Sequence, residues 1–195
     1  MFITGALLAG GKSTRMGSDK ALLLLEGMPL IRHVAATMQQ CFDDVMIISD
    51  RVQDYGFLGL PIFPDIIQDC GPLGGIHSAL VRSKAEAVFV SSCDTPFISP
   101  ELVRYICAHG SDVDVKIPLW KGMLHPLCGL YSRRLITEIE LKLDAGELMV
   151  QGLVRDCPSI TVPIEASLPF YRDNLLTNVN LPGEYRALTE DDGFA

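Results

Sequence analysis

The first residues that could carry chemistry form a basic, glycine-rich stretch near the start of the sequence. It spans residues 9–20, reads AGGKSTRMGSDK, and follows an apolar run over residues 2–8 that predicts a buried strand. The paired glycines allow a sharp turn that brings backbone N–H groups close to a ligand. Three cations follow within ten residues: Lys12, Arg15 and Lys20. Backbone donors and cations at a strand end indicate an anion site, and the phosphates of a nucleotide fit it best.

A phosphate-binding P-loop is an alternative reading of the same stretch. GGKST matches the end of that pattern, but its first glycine would fall at position 6, which is Ala6. A helix should also begin at the lysine, whereas Gly17 and Ser18 favour a long irregular loop. The P-loop is therefore the weaker alternative, and Lys12 the weakest candidate of the three cations.

A second candidate is Asp94, which directly follows an apolar run over residues 87–91. A carboxylate at the carboxyl end of a strand, facing a phosphate site, suits a magnesium ion that bridges phosphate oxygens. The structural alternative is that Asp94 caps a turn stiffened by Pro96. The basic stretch on a neighbouring strand favours the metal site.

Asp65 is a third candidate, after Pro64 at another predicted strand end. A carboxylate in a nucleotide pocket can accept hydrogen bonds from the N–H groups of guanine or from a ribose hydroxyl. Taken by itself, Asp65 could equally cap a loop.

Apolar runs alternate with amphipathic segments along the chain. The runs predict strands over residues 2–8, 45–49, 60–64, 87–91, 113–118, 127–131 and 159–163. Helices are predicted over residues 30–40, 76–84, 99–109, 133–143, 147–155 and 183–188, with a glycine-rich loop over residues 68–75. We therefore expect an α/β fold, a three-layer, doubly wound, mostly parallel Rossmann-like sheet in one domain over residues 1–195. Ligands of such sheets bind beyond the carboxyl ends of the strands.

Composition excludes several classes of protein. The 195 residues carry a net charge of -8, which argues against non-specific binding to nucleic acid or to an anionic membrane. The six cysteines form no C-x-x-C pair, which favours reduced thiols over disulfides or a zinc site. No signal peptide or long apolar segment is apparent, so we expect a cytoplasmic protein.

Other polar residues have structural interpretations that the sequence favours. His125 is interpreted as a hairpin residue, and Cys93 as a small buried residue rather than a nucleophile. Asn178 and Asn180 alternate along an extended segment, so only one of them should face a given site.

The basic stretch resembles the signature of nucleotidyltransferases that make molybdenum cofactor dinucleotides, with residues matching LAGG-x-S-x-RMG-x-DK over positions 8–20. The resemblance extends along nearly the whole chain, and its combination of motifs points to the molybdenum cofactor guanylyltransferase family. The later motifs keep the family's order: Pro64-Asp65, Gly71-Pro72-Leu73-Gly74-Gly75-Ile76, Cys93-Asp94-Thr95-Pro96-Phe97, His125-Pro126-Leu127 and Asn178-Val179-Asn180.

The resemblance implies a nucleotidyltransferase fold and a reaction in which GMP passes from GTP to the terminal phosphate of molybdopterin. It implies Mg²⁺, with Mn²⁺ as the alternative, and transient contact with molybdenum cofactor biosynthesis proteins and molybdoenzyme chaperones. The catalytic residues would be Arg15, Lys20 and Asp94, with the metal on Asp94. The nucleotide-binding residues would be Leu8, Ala9, Gly10, Gly11, Lys20, Asp65 and Asp94. The pterin substrate would contact Arg155, Asn178 and Asn180.

Some positions depart from the family pattern. A single residue, Ser18, precedes Asp19-Lys20 where some relatives have two, and Leu181 replaces the usual threonine. Asp50 stands at the end of the second strand, where some relatives present an asparagine to the base. These departures leave the choice between GTP and CTP open, so a molybdopterin cytidylyltransferase remains an alternative. Independently of them, a sugar-phosphate nucleotidyltransferase and a non-catalytic nucleotide-binding accessory protein are further alternatives.

Overall fold

A mixed eight-stranded sheet forms the centre of the computed structural model, which describes residues 2–10, 19–110 and 112–179. The strands of this part of the chain are β1 (Ile3–Leu8), β2 (Leu24–Leu25), β3 (Met28–Pro29), β4 (Val45–Ile48), β5 (Ile62–Phe63), β6 (Ala87–Ser92), β7 (Val115–Trp120), β8 (Met123–Leu124), β9 (Cys128–Ser132) and β10 (Ser159–Ile164). The sheet order is β10-β7-β9-β6-β1-β4-β5, with β8 paired to β7 and a separate β2–β3 hairpin.

The half of the sheet from β5 to β6 is entirely parallel. Strands β5, β4, β1 and β6 run in one direction, whereas β9 is antiparallel to both β6 and β7. Strand β10 is again parallel to β7. The parallel half carries the continuous apolar runs that predicted buried strands, because both of its faces are covered.

Helices cover both faces of the sheet. They are α1 (Leu30–Gln39), α2 (Gly71–Arg82), α3 (Pro100–Ala108), α4 (Ile136–Asp144) and α5 (Val150–Asp156). The apolar residues of α1 and α3 pack in one core with Leu7 of β1, and those of α2, α4 and α5 pack in a second core with Ala6 and Leu8. Because neighbouring residues of a strand point to opposite faces, β1 contributes to both cores. The predicted three-layer α/β fold is therefore confirmed.

The start of α2 differs from the prediction. Residues 71–75, predicted as part of a glycine-rich loop, form the first turns of the helix. A Cβ atom on Gly75 would lie 3.1 Å from Leu8 Cδ2, and one on Gly74 would lie 2.8 Å from Cys70 Cβ. Gly75 therefore allows α2 to lie close against β1, and Gly74 allows the helix to pass close to Cys70. The interpretation of these glycines as part of a loop was wrong.

Smaller differences concern the ends of elements. Strand β5 has two residues instead of five, and α5 begins at Val150 instead of residue 147. The predicted helix over residues 183–188 lies outside the described part of the chain. Within that part, no helix is both long and apolar enough to cross a membrane.

Candidate functional site

The strand register aligns the candidate residues along one edge of the sheet. Leu8 of β1 pairs with Ile48 of β4 and with Ser92 of β6, and Ile48 pairs with Phe63 of β5. Two residues beyond these four positions are Gly10, Asp50, Asp94 and Asp65. Because the four strands are parallel, these residues follow carboxyl ends that lie side by side, where an open α/β sheet binds its ligand.

Asp94 is held at this edge by its own strand and by a lysine. The Ser92 hydroxyl donates a short hydrogen bond to Asp94 Oδ1, and Lys20 Nζ lies 3.6 Å from Asp94 Oδ2. The turn after β6 is closed by the Thr95 hydroxyl, which donates to the Ser92 carbonyl at 3.0 Å. Among the described hydrogen bonds the Asp94 carboxylate accepts no backbone N–H, so the turn does not depend on it as a cap. It is therefore positioned to bind a cation.

Lys20 begins a single turn of 3-10 helix, Lys20–Leu22, which Asp19 caps. Asp19 Oδ1 accepts the Ala21 N–H at 3.1 Å. The turn leads into the β2–β3 hairpin, and its Leu23 carbonyl accepts the Leu30 N–H of α1 at 2.8 Å. The backbone that carries Lys20 is thus held by the Asp19 cap before it and by the Leu23–Leu30 hydrogen bond after it. The Lys20 ammonium is a compact positive charge that suits phosphate.

Asp65 lies beyond β5 with hydrogen-bonding capacity unused within the described residues. Its Oδ1 atom is inaccessible to solvent and has no hydrogen-bond partner. A Cβ atom on Gly10 would lie 3.9 Å from Asp65 Oδ2, so the backbone at Gly10 and this carboxylate are neighbours. Burial, and then the negative charge of Asp50, raise the pKa of Asp65. A ligand that donates N–H or O–H groups to Asp65 would relieve this unfavourable burial.

A cavity of about 380 Å³ opens on the other side of Asp94. Its polar lining includes Ser92, Asp94, His125 and Asn178. The apolar side chains Leu124, Leu148 and Met149 also line it and are exposed, as is the neighbouring Met123. A cavity lined both by polar groups and by exposed apolar side chains suits a ligand with an anionic end and a flat ring.

His125 is a site residue that sequence reasoning interpreted only as part of a hairpin. Its Nε2 atom is buried without a hydrogen-bond partner, and its ring packs edge-on against Trp120 with centroids 5.7 Å apart. Burial lowers the pKa of His125, so the imidazole is neutral at pH 7 and has one N–H to donate. The HPL motif marked the position, but only the cavity identifies the side chain as a candidate ligand group.

The remaining predicted residues divide into three groups. Leu8 and Ala9 are buried at the end of β1, and Asn178 reaches the cavity because the Val179 N–H donates to the Asp94 carbonyl at 2.8 Å. Arg155 lies on α5, is three-quarters exposed, and pairs with Asp156 at 2.8 Å. The residues Gly11, Lys12, Arg15 and Asn180 lie outside the described residues.

The thiols do not contribute a nucleophile or a metal centre within the described residues. All six cysteines are free, and burial together with the charge of Asp94 raises the pKa of Cys93 to about 12. Cys93 is therefore a protonated thiol at neutral pH. The described residues include no group of three or more histidine, cysteine, aspartate or glutamate side chains that could hold a metal alone. A cation on Asp94 would need further ligands from a substrate or from water.

Comparison with solved structures supports the fold. Molybdopterin-guanine dinucleotide biosynthesis protein A from Archaeoglobus fulgidus superposes with a TM-score of 0.79 at 22% identity, over 96% of this chain and 97% of that one. A Mycobacterium tuberculosis H37Rv protein crystallised in complex with manganese gives a TM-score of 0.72 at 22% identity, over 97% of this chain and 99% of that one. At these identities the similarity establishes the architecture.

Comparison of sequences establishes the family. Residues 5–157 match the sequence model of the MobA-like NTP transferase domain. A probable molybdenum cofactor guanylyltransferase of Carboxydothermus hydrogenoformans is 34% identical over 190 residues, 95% of this chain and 94% of the relative. Another, from Pelotomaculum thermopropionicum, is 43% identical over 148 residues, 75% and 72% of the two chains. Since the match covers most of the sequence and includes the strand ends that carry Gly10, Asp65 and Asp94, this chain belongs to the MobA-like NTP transferase family and is a nucleotidyltransferase.

Proposed function

We propose that the chain transfers GMP from GTP to the terminal phosphate of molybdopterin, releasing pyrophosphate and forming molybdopterin guanine dinucleotide. The observation that carries this proposal is the position of Asp94 between two different surroundings. On one side lie Gly10, Lys20 and Asp65, whose Oδ1 atom has no partner among the described residues, and on the other lies the cavity with His125 and Asn178. A transferase that joins two substrates needs two such sites meeting at one reacting atom.

The nucleotide is proposed to bind across the strand ends from β5 to β6. Asp65 would accept the ring and exocyclic N–H groups of guanine, which supply two parallel donors to one carboxylate. The backbone at Ala9 and Gly10 would approach the nucleotide, and Lys20 would hold its phosphates. Gly11 and Arg15 are proposed to complete the phosphate contacts from outside the described residues.

A divalent cation fits Asp94, and we propose Mg²⁺, with Mn²⁺ as the alternative. Magnesium is commonly held by one or two protein carboxylates together with substrate phosphates and water, so a single strand-end carboxylate is sufficient. When bound, the cation supplies stabilisation of the negative charge that develops on the α-phosphate. The Ser92 hydroxyl orients the Asp94 carboxylate for that purpose.

In the proposed reaction an oxygen of the acceptor phosphate attacks the α-phosphorus of GTP. A new P–O bond forms in line with the bond that breaks, and the β- and γ-phosphates leave as pyrophosphate. Lys20 stabilises charge on the transferring and departing groups. The acceptor phosphate is already largely ionised near neutral pH, so no strong general base is required. Catalysis then depends mainly on positioning and charge stabilisation.

The cavity beside Asp94 is proposed to hold the acceptor. Its volume of about 380 Å³ lies within the size range of small-molecule sites. The phosphate would lie at the end lined by Asp94, and the pterin would lie against Leu124, Leu148 and Met149. His125 and Asn178 would donate hydrogen bonds to the acceptor within the cavity.

Pyrophosphate release tests the proposal. The purified chain is incubated with Mg²⁺, molybdopterin and GTP, CTP, ATP or UTP in turn, and pyrophosphate and the dinucleotide product are quantified. We expect turnover with GTP that depends on molybdopterin. Faster turnover with CTP would make the chain a cytidylyltransferase, and tight GTP binding without product would favour a non-catalytic accessory role.

A further inference from the structure

The segment between β4 and β5 contacts both ends of the basic stretch. The Ser49 hydroxyl donates to the Ala9 carbonyl at 2.9 Å, and the Tyr55 hydroxyl donates to Asp19 Oδ2 at 2.5 Å. The Tyr55 oxygen also lies 3.5 Å from the Ala9 carbonyl oxygen. One short segment therefore holds Ala9 at the start of the basic stretch and Asp19 near its end.

Asp19 is fixed by three donors at once. Its Oδ1 accepts the Ala21 N–H, while Oδ2 accepts the Tyr55 hydroxyl and lies 3.1 Å from Arg51 Nη1. The side chain of Asp19 is only 13% exposed, so these contacts form where water competes weakly. Lys20 is the next residue, and it begins the 3-10 turn that this anchored carboxylate caps through the Ala21 N–H.

Tyr55 makes this contact from a fully buried position, with 0% of its surface exposed. A phenylalanine ring would fill the same space in the core equally well. The buried hydroxyl of Tyr55, by contrast, needs a hydrogen-bond partner. Burial, followed by the hydrogen bond to Asp19, raises the pKa of Tyr55, so the phenol remains a donor throughout the physiological range. The shorter of its two contacts, at 2.5 Å, is the one that holds the Asp19 carboxylate, and the contact with the Ala9 carbonyl is 3.5 Å long.

We propose that Tyr55 is a positioning residue for nucleotidyl transfer, acting through Asp19 to hold Lys20 at the phosphate site. This inference rests on the proposed function for its assay and goes beyond it, because Tyr55 itself contacts neither Lys20 nor Asp94 in the described hydrogen bonds and ion pairs. Arg51 supports the same carboxylate from the more exposed side.

A double-mutant cycle between Tyr55→Phe and Lys20→Met tests the inference. We expect Tyr55→Phe to lower kcat/KM for GTP roughly tenfold, since small displacements of a positioned group reduce turnover strongly. In the Lys20→Met background the same change should lower it less than about twofold, because the group being positioned is gone. For variants whose turnover is too slow to measure, the same double-mutant cycle is read from the Kd for GTP in the presence of Mg²⁺.

The controls separate positioning from general damage to the fold. Tyr105→Phe removes a hydroxyl from α3, where the ring packs against His109 and Phe170, and should leave kcat/KM unchanged. An equal loss from Tyr55→Phe in both backgrounds, or no loss in either, would overturn the positioning role. Failure of the proposed function is distinguishable, because the wild-type chain would then release no pyrophosphate from GTP, while the Kd cycle would still report on Tyr55.

Discussion

Two cavities of the described structure differ in size, in location and in the pairing of their charged groups. The cavity beside Asp94, of about 380 Å³, lies at the carboxyl ends of the parallel strands. A larger one, of about 680 Å³, lies at the opposite edge of the sheet, near the amino ends of β6 and β7. If volume alone identified the binding site, the larger cavity would be the candidate. The smaller cavity is the better candidate, because open α/β sheets bind ligands at the carboxyl ends of their parallel strands.

The cationic groups of the larger cavity already have partners. Arg134 forms a fork with Asp114 at 2.7 Å and Asp112 at 3.2 Å. Lys116 Nζ donates to the Cys107 carbonyl at 3.0 Å, and Arg133 Nη1 donates to the Ser83 carbonyl. By contrast, the strand-end site and its cavity contain two buried polar atoms without partners, on Asp65 and His125. Unused hydrogen-bonding capacity therefore distinguishes a candidate binding site from a cavity whose charges stabilise the fold.

Neutralising Asp94 should give the largest loss of activity. Asp94→Asn retains the size of the side chain and removes the negative charge proposed to hold the cation, so kcat should fall by about 10²–10³-fold. The melting temperature should change little, since Asp94 caps no described turn. Pyrophosphate release with saturating GTP and molybdopterin measures the effect, and Asp112→Asn at the larger cavity is the matched control. Near-normal turnover of Asp94→Asn would falsify the assignment.

Asp65→Asn should raise the KM for GTP by roughly tenfold or more, because hydrogen bonds to a charged acceptor contribute about 1.5–3 kcal/mol. It should also raise the melting temperature at pH 7. The pKa of Asp65 is raised in the folded state, so at pH values between the unfolded and the folded pKa the folded protein holds a proton that the unfolded chain has lost. Stability therefore falls as pH rises from the unfolded to the folded pKa, and the variant lacks that fall. The melting temperatures of the wild type and of Asp65→Asn are measured from pH 4 to 8. If the two melting temperatures changed in parallel with pH, Asp65 would not be the source of the pH dependence.

Strand-end residues were predictable because adjacency in a parallel sheet follows from strand direction. The sequence predicted four strands that end near Gly10, Ser49, Asp65 and Asp94, and the register brings these ends into line. The functional roles of Arg15, Lys20, Asp65, Asp94 and Asn178 stay predictions until variants are assayed.

Other features depend on contacts that no local pattern encodes. Tyr55 lies 36 positions from Asp19, and its importance follows only from the hydrogen bond between them. His125 resembles any hairpin histidine until the structure shows that it lines the cavity and that its buried Nε2 atom has no partner among the described residues. Gly74 and Gly75 were interpreted as a loop because glycine serves turns and close packing equally well. Only the close approach of Gly75 to Leu8 and of Gly74 to Cys70 shows that they serve packing.

His125→Ala should raise the KM for molybdopterin by roughly tenfold, the equivalent of one hydrogen bond of about 1.4 kcal/mol. The KM for GTP should be unchanged, because His125 lines the cavity proposed for the acceptor and not the strand ends proposed for the nucleotide. His125→Gln should recover part of the loss, since its amide can donate from a position close to that of Nε2. Initial rates with each substrate varied in turn separate the two constants. A rise in the KM for GTP alone would place His125 on the wrong side of the site.

Arg134→Gln should have the smallest effect on turnover, and it tests the larger cavity directly. The guanidinium is more than half exposed, and surface ion pairs of this kind contribute little to stability. We expect a melting temperature lowered by at most about 3 °C and turnover unchanged within about twofold. If the variant instead raised the KM for either substrate tenfold without a loss of stability, the larger cavity would have to be a binding site. The pairing of charged groups would then no longer distinguish a binding cavity from a structural one. Cavity volume would be the better guide to function in this fold.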